Sequence, residues 1–375
     1  MRPPLLDLVA AYHAGRSDFP LSRLSPPRLA WALECGLAPL IARCCANDPA
    51  APSSPQWSTI LGSDLAARVV VEDQAQATVE LIEACRPRVG PLTLLKGVWL
   101  SHALHPEPHL RPMRDVDVMV EREAAGEVER VLIDLGYRPT KPEHEFRDHN
   151  HLVPYRHPTT GVLFEVHHAL MPPQGQHGAE PAFAAPSVRS HLRPATFRGH
   201  PVHRLSDELQ VAYLAAHWAG SLNVVGGGGG IVIMMDMPAL LRDVDWSEVA
   251  ALTSTPATAS ATLLILSYLA ARGLVEIDPA VLPDLWKRQR VFGRANLAVL
   301  HALIDRRLVD GHRYGRVLLT SRTFSVVWMG LLNPRPAYVN VLSLPWALLP
   351  LRWRIAASPL ARPVARWLGV NLREL

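Results

Sequence analysis

The segment Asp115-Val-Asp-Val-Met-Val-Glu121 decides how this chain is read. Polar and apolar residues alternate along it, and successive side chains on a strand point to opposite faces. Val116, Val118 and Val120 are therefore expected in a core, with Asp115 and Asp117 together on the other face. Two carboxylates held that close repel and raise each other's pKa unless a cation sits between them. The strand asks for a metal ion.

Upstream, Pro91-Leu-Thr-Leu-Leu95 lies between Gly90 and Gly97. It reads as a buried strand that turns into a helix reaching about residue 104. In that turn Lys96 can set a point charge on phosphate oxygens, and Gly97 lets the backbone approach and exposes amides at a helix start. Arg111 and Arg114, just ahead of the aspartates, add forked donors for the same phosphates. Downstream, a helix over 124–135 is closed by Gly136. Strands over 150–156 and 162–168 flank Pro158-Thr-Thr-Gly161, a hairpin turn. In the second of these strands Phe164 and Val166 face the core, which leaves Glu165 placed like the aspartates. If the two acidic strands pair, three carboxylates converge, a hard oxygen set suited to Mg2+ or Mn2+ completed by water and phosphate.

The flanks are helical. Apolar residues recur at helical spacing over 29–45 and 60–84, separated by a Pro-Ser-rich loop at 49–56, and again over 209–218, 234–241, 246–252 and 262–274. The expected architecture is α+β: a helical region at 1–88, a small mixed-sheet core at 89–205 and a second helical region at 206–375. The glycine run at 226–230 is expected to link two helices.

With 375 residues and 49% hydrophobic content the chain can bury a sizeable core. A net charge of +4, without a dense basic block interleaved with aromatics, does not indicate nucleic acid. Cys35, Cys44, Cys45 and Cys85 lack CxxC spacing and read as buried free thiols. The N-terminus lacks a signal-peptide apolar run, which makes the cytoplasm the expected location. No stretch reaches the ~18 apolar residues of a membrane span. The nearest, 338–351, is broken by Asn340, Pro345 and Pro350 and followed by Arg352, Arg354, Arg362 and Arg366. A buried helical layer is the commoner fate of such a segment, and peripheral docking on a membrane surface is the alternative.

The ordered set Leu94-Leu-Lys-Gly97, Arg111-Pro-Met-Arg-Asp-Val-Asp-Val-Met-Val120, Asp134-Leu-Gly-Tyr137 and Phe164-Glu-Val-His-His168 resembles the bacterial nucleotidyltransferase family proteins of the polymerase-β-like superfamily. The resemblance covers roughly residues 75–245. It implies that Asp115 and Asp117 are the metal-binding pair, that Glu165 is the third carboxylate, and that Arg111 is the arginine before the strand. Lys96 and Gly97 stand where the superfamily commonly has a glycine-serine turn, and the interval to Asp115 is longer than in its minimal members. His151 and His167 fall where relatives carry histidine, on the nucleotide side. His217 and Asp236 resemble a downstream pair on the acceptor side. A zinc site among His144, His149, His151, His157, His167 and His168 is disfavoured by their spacing and the lack of cysteine partners.

The implied reaction is Mg2+- or Mn2+-dependent transfer of a nucleotidyl group from a nucleoside triphosphate, with ATP expected. The acceptor would be a hydroxyl, amine or phosphate on a small molecule, peptide or sugar. Phosphoryl transfer at the same site, and an antitoxin-like module that modifies or binds a partner protein, stay open as alternatives.

Overall fold

A computed structural model of the chain describes residues 2–146, 149–173, 177–221, 229–289 and 294–309. The helical start holds α1 (Pro4–His13), α2 (Pro26–Glu34), α3 (Ala38–Cys44) and the long α4 (Trp57–Val89). The apolar run over 29–45 does not form one helix. It breaks at Gly36, whose φ of +77° is a left-handed conformation, and where an added Cβ would lie 3.0 Å from Pro112.

Next come β1 (Thr93–Leu94), α5 (Lys96–Leu104), β2 (Val116–Met119), α6 (Ala125–Asp134), β3 (Arg138–Pro139), β4 (Tyr155–Arg156) and β5 (Leu163–His167). They are followed by α7 (Ala185–Ser190), β6 (Leu192–Phe197) and β7 (His200–Leu205). Helices complete the described chain: α8 (Asp207–Ser221), α9 (Gly229–Leu240), α10 (Trp246–Leu252), α11 (Pro256–Ala271), α12 (Val281–Arg288) and α13 (Arg294–Ile304). α11 is apolar on nearly every side and buried through its length, as a central helix must be.

The strands form one mixed sheet in the order β3-β4-β5-β2-β1-β7-β6. β2 runs parallel to β5 and antiparallel to β1, so the two acidic strands are neighbours. One face of the sheet, carrying Leu94, Val116, Val118, Phe164, Val166 and Val202, packs on Leu81, Ile82 and Cys85 of α4 and on Val128, Val131 and Leu132 of α6. The other face, through Leu95, Met119 and Leu205, packs on Leu209, Ala212 and Tyr213 of α8. A further helical core joins α1, α2 and α3 to α8, α9 and α11. The architecture is α+β, as expected, and the four cysteines are free and buried.

The β6–β7 hairpin at the sheet edge was not anticipated. It turns at Arg198 and Gly199, both with positive φ (+48° and +85°), which is the backbone a two-residue hairpin turn demands. β4 is also shorter than the expected 150–156, because ahead of it the backbone ladder with β5 is reduced to the isolated bridge His151–His167. Among the described residues no helix is long and apolar enough to cross a membrane. The apolar segment at 338–351 and its arginines lie outside the described residues, as do residues 226–228 of the glycine run; Gly229 and Gly230 begin α9.

Candidate active site

The parallel pairing of β2 with β5 sets Asp117 directly beside Glu165, with Val116 beside Phe164 and Val118 beside Val166. Residues opposite each other in register project from the same face, so burying the valines and Phe164 on α4 and α6 forces both acids to the other side. Asp115 sits one step before β2 on the same side. All three carboxylates line a cleft of about 600 Å³, together with Lys96, Arg111, Arg114 and His217.

The first residue of α5, Lys96, has a φ of +32°, an unusual backbone for a side chain with a Cβ. Its ammonium lies 3.2 Å from Asp117 Oδ1, and 5.7 Å from the centre of the Tyr213 ring on α8. The same Oδ1 is 2.8 Å from His167 Nε2. The Asn150 amide nitrogen stands 3.2 Å from His167 Nδ1, an arrangement in which Nδ1 accepts and Nε2–H donates to Asp117. Burial alone would raise the Asp117 pKa, but Lys96 and His167 outweigh it and keep the group ionised. Lys96 mirrors this: burial opposes its charge, and Asp117 above all overrides that and pushes its pKa up.

Asp115 behaves in the opposite way. Its burial, followed by the charges of Asp117 and Glu165, pushes it up to about 7, which is the signature of an acidic cluster short of positive charge. Glu165 feels the same burial, yet its contact with His167 leaves it below the usual carboxylate range. One oxygen each of Asp117 and Glu165 and a ring nitrogen of His167 lie within 4.8 Å of one another, close enough to ligate one ion. This donor set fits Mg2+ or Mn2+ through its carboxylates. The 2.8 Å contact with His167 fixes the orientation of the Asp117 carboxylate.

The expected phosphate-binding residues divide. Arg114 is exposed at the cleft and makes no hydrogen bond or ion pair among the described residues. Arg111 is buried, and its Nε and Nη2 are each 2.8 Å from an oxygen of Asp236. Asp236, on α9, which the resemblance would set on the acceptor side, is buried and takes both guanidinium bonds of Arg111, with His105 Nε2 3.1 Å from its Oδ1. Tyr12 Oη extends this chain of contacts, lying 2.6 Å from His105 Nδ1. Gly97 is needed for packing: an added Cβ would lie 2.9 Å from Met113 Sδ and 3.5 Å from Arg111 Nη1.

His217 faces the cleft one helical turn after Tyr213, and the Lys96 ammonium holds its imidazole well below its usual pKa, in the neutral form. His151 stands beside His167, with ring centres 5.1 Å apart, and burial lowers its pKa as well. Reading the sequence alone missed Tyr12, His105, Asn150 and Tyr213, which hold or back the site residues; only Tyr213, four residues before His217 on one helix face, left a signal. It also missed the cleft's far wall, built from α2, α3 and the Ser63, Ala66, Ala67 and Val70 face of α4.

No curated protein and no solved structure matches this chain. The model of a family described as uncharacterised nucleotidyltransferase matches residues 28–274, from within α2 to just past α11, and so takes in the whole sheet and every carboxylate of the cleft. The chain belongs to that nucleotidyltransferase family.

Proposed function

We propose that the cleft binds a nucleoside triphosphate, ATP in the first instance, with Mg2+ or Mn2+, and transfers its nucleotidyl group to a hydroxyl, amine or phosphate acceptor. The observation that carries this reading is the register of Asp117 beside Glu165, with Asp115 next to them, at the floor of a cleft that also holds Lys96 and Arg114. Divalent metal bound at the carboxylates would neutralise phosphate charge and polarise the phosphorus under attack. Arg114 has its guanidinium available for phosphate oxygens, and Lys96 lies within the same cleft. Glu165 orients the acceptor and takes its proton. The acceptor oxygen or nitrogen forms a bond to the α-phosphorus, the α–β bridging P–O bond breaks, and pyrophosphate leaves with the bond's electron pair.

The test is calorimetric binding of ATP with Mg2+ or Mn2+ to the wild type and to Asp115→Ala/Asp117→Ala, followed by product mass with a pool of acceptors. Metal-dependent binding lost in the variant, and an acceptor heavier by a nucleoside monophosphate, support the reading. A gain of a single phosphate would replace it with phosphoryl transfer. Equal binding by both proteins would make the carboxylates structural.

A further inference from the structure

We propose that the Lys96 ammonium and the divalent ion are alternative partners of the carboxylate cluster, so that the ion is seated together with a triphosphate whose oxygens draw Lys96 away from Asp117. The proposal rests on the nucleotide-binding reading of the cleft and adds an order of loading to it.

Four observations lead there. The Lys96–Asp117 contact, at 3.2 Å, is enclosed: the two side chains are 15% and 4% exposed. Asp115 and Glu165 also act on the ammonium, so a single tethered cation serves three acids. Asp117 Oδ1 already receives both Lys96 and His167, and a divalent ion on that carboxylate would face the ammonium across a very short distance with little water between them. Finally, Lys96 holds a left-handed φ of +32° at a strand-to-helix turn, strain of the kind that persists where the surrounding structure over-determines a position.

A free divalent ion offers the ammonium no new partner, so its entry must strip Lys96 of its counter-charge. A metal–triphosphate complex brings that partner with it, because phosphate oxygens accept from an ammonium as a carboxylate does. The Tyr213 ring, 5.7 Å from Nζ, supplies an electron-rich face toward the ammonium.

Lysine occurs at only three positions in the chain, Lys96, Lys141 and Lys287, so the side-chain nitrogens of 15N-lysine-labelled protein can be followed by NMR. The Lys96 signal is expected to stay in place under Mg2+ alone and to move when Mg2+ is added with a non-hydrolysable triphosphate. Movement under Mg2+ alone, at the concentrations that suffice with triphosphate, overturns the proposal. In parallel, Mn2+ without nucleotide is titrated into the wild type, Lys96→Arg, Lys96→Met and Lys96→Gln. The two neutral variants are expected to bind Mn2+ at least roughly tenfold tighter than the two charged proteins, a difference of about 1.4 kcal/mol. Equal affinity across the series overturns the exchange, and Lys96→Gln decides the matter should Lys96→Met fail to fold. Should the wild type not bind the metal–triphosphate complex at all, the nucleotide reading itself fails; binding of that complex with an unchanged Mn2+ series sinks the exchange alone.

Discussion

Arg111 and Asp236 form a two-pronged ion pair, both contacts at 2.8 Å, between the loop that delivers Asp115 and a helix 125 residues further along the chain. The pair is enclosed, with side chains 8% and 1% exposed, so neither charge has water as an alternative partner. Removing one member of a buried pair strands the other, at a cost of about 3–5 kcal/mol. Asp236→Ala should lower the free energy of urea unfolding by that amount, and Arg111→Met/Asp236→Leu should recover most of it. If Asp236→Ala unfolds like the wild type and loses only affinity for a ligand, the pair is not what fixes the loop.

Gly97 makes a second link to the same loop. A methyl group there would overlap Met113 Sδ and Cγ at 2.9 and 3.0 Å, while alanine in the first turn of α5 gains the helix less than the roughly 1 kcal/mol of an interior position. Overpacking of this kind typically costs about 1–3 kcal/mol, so Gly97→Ala should be mildly destabilising. Shortening Met113 removes the obstacle: Gly97→Ala/Met113→Ala should be more stable than Met113→Ala alone. Thermal melts of the three variants check the sign, and a Gly97→Ala protein more stable than the wild type would count against the contact.

What the sequence made legible follows from the period of a strand. Alternation in 115–121 and 162–168 was enough to put Val116, Val118, Phe164 and Val166 in one core and to place Asp117 and Glu165 on the opposite face, because a one-residue slip would expose every valine. The partners of those acids were not legible. Lys96 on Asp117 is a contact over 21 residues set by the pairing of β1 with β2, and Asp236 on Arg111 one over 125 residues that depends on how α9 packs. No local period records such a distance. Asp236 in particular is singled out by family resemblance alone, and its ion pair with Arg111 is visible only once α9 is packed. The β6–β7 hairpin was hidden by Pro194 and Pro201, which break the usual strand pattern, although the Arg198-Gly199 turn between them was available to be read.

The far wall of the cleft offers a test of ligand placement that leaves the carboxylates intact. Ala66 is exposed on the face of α4 that lines the cleft, so a large side chain there has room to fold without disturbing a core. Ala66→Trp should melt like the wild type and bind metal–ATP at least roughly tenfold more weakly, a loss of about 1.4 kcal/mol. Unchanged affinity would place the nucleotide elsewhere in the cleft.

Acid should weaken the fold through buried and half-buried imidazoles that lie outside the cleft. His177 is 3% exposed, and burial lowers its pKa to about 4. His13 and His301 are also held down to about 4, chiefly by burial. Each has a folded pKa below the unfolded value of about 6.5, so between those values the unfolded chain binds more protons than the folded one. The stability these groups confer is complete above pH 6.5 and declines as the pH falls toward 4. For His177, the most enclosed of the three, the decline approaches about 1.4 kcal/mol for each pH unit inside that window. Urea midpoints measured from pH 7 to pH 4.5 should fall, and His177→Leu, which removes one titrating group, should fall less steeply. Parallel curves for the two proteins would mean that His177 takes up its proton in the folded state near its ordinary pKa, with water reaching its ring.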